Sequence, residues 1–184
     1  CALLEMALRY GYNYKNLRNK DNMLKIFPFS SEAKKMTTIY KNDKTIYVCT
    51  KGAPEYLMPH CTQFIDSEGR ISKITSSFEK NLKDIMFKFA TESLRTLLLC
   101  YKEIEEFNEK EGDAKRDDYE NELIIIGLVG IKDPLRDGIA EAVEKCRIAG
   151  VTVRMVTGDN IQTAIAIAKE AGILDKNWKH GPDN

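Results

Sequence analysis

The chain has 184 residues, 43% hydrophobic and 30% charged, and its 28 Lys+Arg balance 28 Asp+Glu to a formal net charge of zero. That suits one globular domain, or one domain with part of another. The overall balance gives no electrostatic reason to expect nucleic-acid or membrane-surface binding, though local charge patches could still matter, and no apolar run reaches the roughly 18 to 20 residues that a membrane-spanning helix needs.

In chain order, Ala2 to Leu8 is already amphipathic and is not preceded by an initiator Met, as expected of a piece excised from a longer protein. Residues 2–10 read as a helix closed by Gly11, and 12–21 as a polar loop. Leu24 to Phe29 reads as a strand, with Pro28 marking its end or a bulge. Met36 to Tyr40 and Thr45 to Thr50 form a hairpin around Lys41-Asn42-Asp43-Lys44. Pro54 opens a short helix, where its missing N–H costs nothing. Residues 63–65 and 71–74 flank a turn at Ser67-Glu68-Gly69.

Residues 76–93 give the clearest helical period, with Phe78, Leu82, Ile85, Met86 and Phe89 on one face. Thr96 to Tyr101 and Leu123 to Ile131 are apolar strands. Between them, residues 103–121 are so highly charged that they read as a solvated insertion or mobile loop. After Lys132-Asp133-Pro134 the pattern becomes helix 135–149, strand 151–156, turn 157–160 and helix 161–171. Such alternation is expected of a parallel sheet. A domain boundary is therefore placed near residue 132.

The five cysteines, Cys1, Cys49, Cys61, Cys100 and Cys146, form no Cys-x-x-Cys pair and read as reduced core thiols in a cytosolic setting. His60-Cys61 could begin a metal site, but no second pair completes it.

Four segments could carry chemistry. In Lys51-Gly52-Ala53-Pro54-Glu55, two small residues allow close approach to the backbone, and a helix start beside a lysine favours an anionic or electron-rich ligand. Taken alone, a strand-to-helix turn with a surface lysine is the simpler reading. In Phe29-Ser30-Ser31-Glu32-Ala33-Lys34-Lys35-Met36, an aromatic at a strand end could stack on a base while lysines neutralise phosphate. A core Phe beside a solvated charge run would look the same. Leu94-Arg95-Thr96 offers a guanidinium that could fork to phosphate or ribose oxygens. Met155-Val156-Thr157-Gly158-Asp159-Asn160 follows a presumed parallel strand, where ligands of open α/β sheets bind. Thr157 and the N–H groups beyond it could hold a phosphoryl group, while Asp159 could cap the next helix or help organise a metal–phosphate site.

The order decides between these alternatives. Phe-Ser-x(4)-Lys-x-Met, Lys-Gly-Ala-Pro-Glu, Leu-Arg-Thr, Asp-Pro-Leu-Arg and Met-Val-Thr-Gly-Asp-Asn follow one another along the chain. In this the sequence resembles the P-type ATPases across essentially its whole length. Val151 to Ile161 is similar to the plasma-membrane-type calcium pumps, and Asn160 differs from the His usual in sodium/potassium and proton/potassium pumps.

The resemblance implies an α+β nucleotide-binding domain, an antiparallel sheet with flanking helices, over residues 1–131. A partial α/β haloacid-dehalogenase-like phosphorylation segment is implied over 132–184. It implies ATP or ADP as ligand, with Phe29 stacking on adenine and Lys34 beside the nucleotide. Lys51 would line the adenine pocket over Gly52 and Ala53, and Arg95 would reach the phosphates. Asp133 and Arg136 would sit in the hinge, and Thr157, Gly158 and Asp159 would meet the γ-phosphate when the domains close. The remaining pump domains would be partners in cis, on the cytoplasmic face of an integral membrane protein, with no membrane contact by this piece.

The family's phosphorylated aspartate, in Asp-Lys-Thr-Gly-Thr, is absent, as is the Gly-Asp-Gly-x-Asn-Asp that holds Mg2+ in the full-length enzyme. This piece is therefore expected to bind nucleotide without hydrolysing it. A complete haloacid-dehalogenase phosphatase would need an Asp-x-Asp-x-Thr motif that is missing. A non-catalytic interaction module would explain the missing nucleophile but not the ordered motifs. Within the family, a sodium or proton pump is the alternative to a calcium pump.

Overall fold

The structure is a computed structural model that describes residues 2–17, 20–108, 110, 116–179 and 181. The chain divides into two compact units, one of residues 1–76 and 97–129, the other of residues 77–96 and 130–184.

In the first unit, β1 (Met23–Phe27) pairs antiparallel with β2 (Lys35–Asn42), which pairs with β3 (Thr45–Gly52) in the expected hairpin. Thr45 pairs with Asn42, and Asp43 adopts a φ of 54°, as the tight turn demands. β3 pairs antiparallel with β6 (Leu94–Ile104). β4 (Cys61–Ile65) pairs antiparallel with β5 (Ile71–Lys73) but parallel with β7 (Leu123–Lys132). The seven strands form one sheet in the order β1-β2-β3-β6-β7-β4-β5. The sheet is therefore mixed, which corrects the antiparallel expectation. β4 and β7 lie far apart in sequence, so the chain between them is long enough for a parallel return.

β1 ends at Phe27 rather than Phe29, because Pro28 cannot donate to a ladder. From Lys35 to Tyr40 of β2 and along all of β3, buried and half-buried residues alternate, so each strand has one inward face. Phe27, Ile39, Ile46, Val48 and Tyr119 form the inward cluster, with Leu24, Ile104 and Phe107 packed against it. Tyr119 belongs to α5 (Arg116–Tyr119), inside the stretch expected to be solvated. That expectation fails at Tyr119, which is buried, and at Glu120, which is wholly so, while Asp117 and Asp118 are exposed. Two Lys102 Nζ hydrogen bonds, to the carbonyls of Asp118 (2.6 Å) and Asn121 (2.8 Å), tie the segment to β6. Residues 109 and 111–115 of that stretch lie outside the described residues.

In the second unit, α4 (Ser76–Thr91) buries Leu82 and Ala90. Ile85, expected inward, is 44% exposed, so the inward stripe runs through Phe78, Leu82, Met86 and Phe89 instead. α6 (Ile139–Ile148) starts after Gly138, whose φ of 82° breaks the helix predicted from residue 135. α7 (Ile161–Glu170) buries Thr163, Ala164 and Ala168. The strand expected at 151–156 does not form. A strand exists only through a ladder partner, and among the described residues none pairs with this segment. Val156 is 97% exposed as a result.

Four cysteines, Cys49, Cys61, Cys100 and Cys146, are free thiols. Burial pushes the Cys49 thiol up to about 11, and Cys61 Sγ touches Cys100 Sγ at 3.5 Å. Among the described residues no helix is long and apolar enough to cross a membrane.

Candidate functional site

The residues singled out from the sequence fall into two groups, one in each unit. In the first unit the backbone leaves β1 at Phe27, passes Pro28 and exposes Phe29, which is 60% accessible. A tight turn follows. Ser30 Oγ accepts the Ala33 N–H at 3.0 Å, and Ser30 O accepts the Lys34 N–H at 2.9 Å. Lys34 closes the turn with a φ of 52°, a left-handed conformation that non-glycine residues rarely take. Its carbonyl accepts the Ala53 N–H at 3.0 Å, so the turn is fastened to the end of β3.

Gly52 makes that fastening geometrically feasible. A Cβ there would stand 2.8 Å from both Lys34 O and Lys35 Cβ. Lys51 lies opposite Met36 on β2 and Leu99 on β6, on the face away from the buried cluster. Among the described residues, no carboxylate forms an ion pair with the Lys34 or Lys51 ammonium, whereas neighbouring Lys35 is paired internally. Lys34, Gly52 and Ala53 are thus in direct backbone contact, Lys51 adjoins them, and Phe29 precedes the same turn. α3 (Pro54–Leu57) begins at Pro54 with Ala53 as its N-cap, as the Pro signal predicts.

In the second unit, Arg95 is held between two carboxylates. Its guanidinium is 3.3 Å from Asp159 Oδ2 and 3.7 Å from Asp133 Oδ2. Thr157 Oγ1 donates to Asp159 Oδ2 at 2.9 Å and accepts the Asp159 N–H at 3.1 Å. Asp159 therefore does not cap α7. That role falls to Asn160, whose Oδ1 accepts the Gln162 N–H at 2.9 Å. Gly158 has open space where a side chain would go, and Arg136 is exposed, its carbonyl accepting the Ile139 N–H. The Arg95, Asp133, Thr157 and Asp159 side chains are thus brought together; Arg136 is not tied to them.

The features that sequence reasoning missed lie behind Lys34 and Lys51. Glu120, with no side-chain exposure, pairs with Lys35 Nζ at 2.8 Å and with Arg116 Nε at 3.1 Å. It also accepts the Thr37 hydroxyl at 2.6 Å, and Thr37 Oγ1 meets Thr50 Oγ1 at 3.0 Å. Burial pushes the Glu120 carboxyl up, but the Lys35 and Thr37 hydrogen bonds, the Lys35 charge and Arg116 outweigh it and hold the group below the usual glutamate range. Arg116 also lies over the Phe27 ring at 5.1 Å. The available signal was polar Lys35, Thr37 and Thr50 at alternate positions that also carry Ile39 and Val48, on a face that must be inward.

His60 Nδ1 bonds Asn121 Oδ1 at 2.7 Å, and no group of three or more metal-ligating side chains occurs among the described residues.

The family model for the P-type ATPase cytoplasmic domain N matches residues 1–138. The chain belongs to that family. It is 41% identical over 95% of its length to calcium-transporting ATPase PAT1 of Dictyostelium discoideum, covering 15% of that protein. It is 42% identical over 96% of its length to the plasma-membrane-type calcium-transporting ATPase 10 of Oryza sativa subsp. japonica, covering 17% of it. The plasma-membrane-type calcium-transporting ATPase 4 of Arabidopsis thaliana is 42% identical over 94% of the chain, which covers 16% of that relative. The chain thus spans about one-sixth of the length of the curated relatives it matches.

Proposed function

We propose that this chain is the nucleotide-binding portion of a calcium-transporting P-type ATPase. Residues 1–131 would form most of the N domain, and residues 132–184 a partial haloacid-dehalogenase-like phosphorylation domain. The names of the relatives support calcium as cargo over sodium or protons. In the intact pump, ATP would phosphorylate an aspartate with Mg2+ as the metal, on the cytoplasmic face of a membrane, with the other pump domains as partners in cis. The Gly-Asp-Gly-x-Asn-Asp that would hold this Mg2+ does not occur in this sequence.

The observation that carries the reading is the fastening of the Phe29–Lys34 turn onto Gly52 and Ala53. It joins the turn that follows exposed Phe29 and ends at Lys34 to the backbone next to Lys51, and among the described residues neither lysine has a carboxylate partner. Phe29 stacks on adenine, a contact worth about 1 to 3 kcal/mol per base. Gly52 and Ala53 permit close approach of the base, and the Lys34 and Lys51 ammonium groups offset phosphate charge. Arg95 turns from its carboxylates to the phosphates, Asp133 and Arg136 serve the hinge, and Thr157, Gly158 and Asp159 receive the γ-phosphate. After association costs the affinity is on the order of 0.1 to several millimolar. The chain alone binds ATP or ADP without hydrolysis, because an in-line aspartate is needed for transfer.

An NMR titration with ATP tests this. Amide shifts should move at Phe29, Lys34, Lys51 and Ala53, and Phe29→Ala and Lys51→Ala should each weaken the response several-fold. Unmoved shifts around Phe29 at ~10 mM ATP, well above the expected dissociation constant, would refute the assignment.

A further inference from the structure

We propose that Glu120 is a positioning residue for the nucleotide site, acting on Lys34 and Lys51 from the opposite face of the sheet. The inference rests on reading the Phe29–Lys34 turn and the Lys51–Ala53 segment as that site.

Three side chains converge on the Glu120 carboxylate. Lys35 reaches it at 2.8 Å, Thr37 at 2.6 Å and Arg116 at 3.1 Å, and Thr37 passes the connection to Thr50 at 3.0 Å. Lys35 and Thr37 are on β2, and Thr50 is on β3. Lys35 follows Lys34 directly, and Thr50 precedes Lys51 directly. Strand alternation sends Lys35, Thr37 and Thr50 inward, while Lys51 and its partner Met36 face the other way. One buried carboxylate therefore sets the spacing of the two strand ends that carry the candidate ligand groups.

The backbone makes this coupling stiff. Lys34 is left-handed and bonded through both N–H and C=O, and Gly52 packs against its carbonyl with no room for a methyl group. A shift of Lys35 toward or away from Glu120 must pass into Lys34 and the Gly52 contact, because no slack lies between them. Glu120 belongs to the segment that ends the charged 103–121 stretch, so a part of the chain 83 positions from Thr37 helps shape the turn. Its role is indirect: it touches no proposed ligand group, and it determines where those groups stand.

The test uses the 184-residue chain and ATP, at a temperature well below the melting point of every variant. Thr37→Val is nearly isosteric and removes one inward donor; Glu120→Gln keeps the shape and removes the charge. Both should raise the dissociation constant for ATP by ~3- to 10-fold and shift the free-state amide resonances of Lys34, Lys51 and Ala53. Val48→Ala is the control for stability alone: it opens a cavity in the same inward face, lowers the melting temperature and should leave the constant within about twofold. If wild type binds ATP and Phe29→Ala weakens binding, but Thr37→Val and Glu120→Gln match wild type, the positioning role is refuted while the nucleotide site stands. If wild type fails to bind ATP, the site itself is refuted and the positioning role with it. Should Glu120→Gln not fold, Thr37→Val decides.

Discussion

Gly52 lies directly against the carbonyl of Lys34, and an added Cβ would come within 2.8 Å of that oxygen. The nearest atoms are backbone and a Cβ, neither of which can swing aside. Gly52→Ala should therefore separate the turn from β3 and destabilise the protein by about 1 to 3 kcal/mol. Urea denaturation measures the loss, and a midpoint equal to that of wild type would show that the contact is not tight.

Lys34 combines a charge with a left-handed backbone, and two substitutions separate them. Lys34→Gly removes the charge and the backbone strain together, so stability should hold or rise by up to about 1 kcal/mol while ATP binding weakens. Lys34→Ala keeps the strain and should bind as weakly without the gain. Equal melting temperatures for the two variants would argue against the strain.

The Glu120 carboxyl is held below the ordinary glutamate range, so its ionised form favours the folded state. The sign follows from linkage: its contribution is complete above the unfolded value, near 4.5, and disappears as the pH falls through the lower folded value. The cations facing it are Lys35, at 2.8 Å, and Arg116, at 3.1 Å. Glu120→Gln should cost about 3 to 5 kcal/mol at pH 7 and much less under strongly acid conditions. Denaturation midpoints across that range give the comparison, and a cost independent of pH would contradict the sign.

Asn160 caps α7 through Gln162 N–H. Asn160→Ala should cost about 1 kcal/mol. Amide hydrogen exchange in the first turn of α7 should speed up, and α4 should be unaffected. Unchanged exchange there would mean that the cap contributes nothing.

How much of this was legible beforehand depended on whether the cause was local. The exposure of Phe29 is decided only by the fold, a core position being equally open from the sequence, whereas Pro28 marks a strand end or bulge by its own chemistry. The β2–β3 hairpin, with its left-handed Asp43, was equally local. The buried role of Glu120 was not, because a charged stretch reads as solvated unless its partners are known, and Lys35 and Thr37 lie far upstream. β4 looks like any hairpin strand, and nothing in its own residues reveals that β7 will run parallel to it. Residues 151–156 have the composition of a strand, yet composition supplies no partner. In the candidate site, Arg95 and Asp159 were each singled out, but their mutual ion pair required the folded chain.

The order of the strands also bears on how the chain assembles. β1, β2 and β3 are joined by short connections, as are β4 and β5, so each set can form soon after its residues meet. They become one sheet only when β6 and β7 insert between them. Closing those long loops is slow relative to hairpin formation, so two early islands and a late bridging step are expected. In pulse-labelled exchange during refolding, amides of β2 and β3 should gain protection before those of β7. Simultaneous protection of all three strands would rule that sequence of events out.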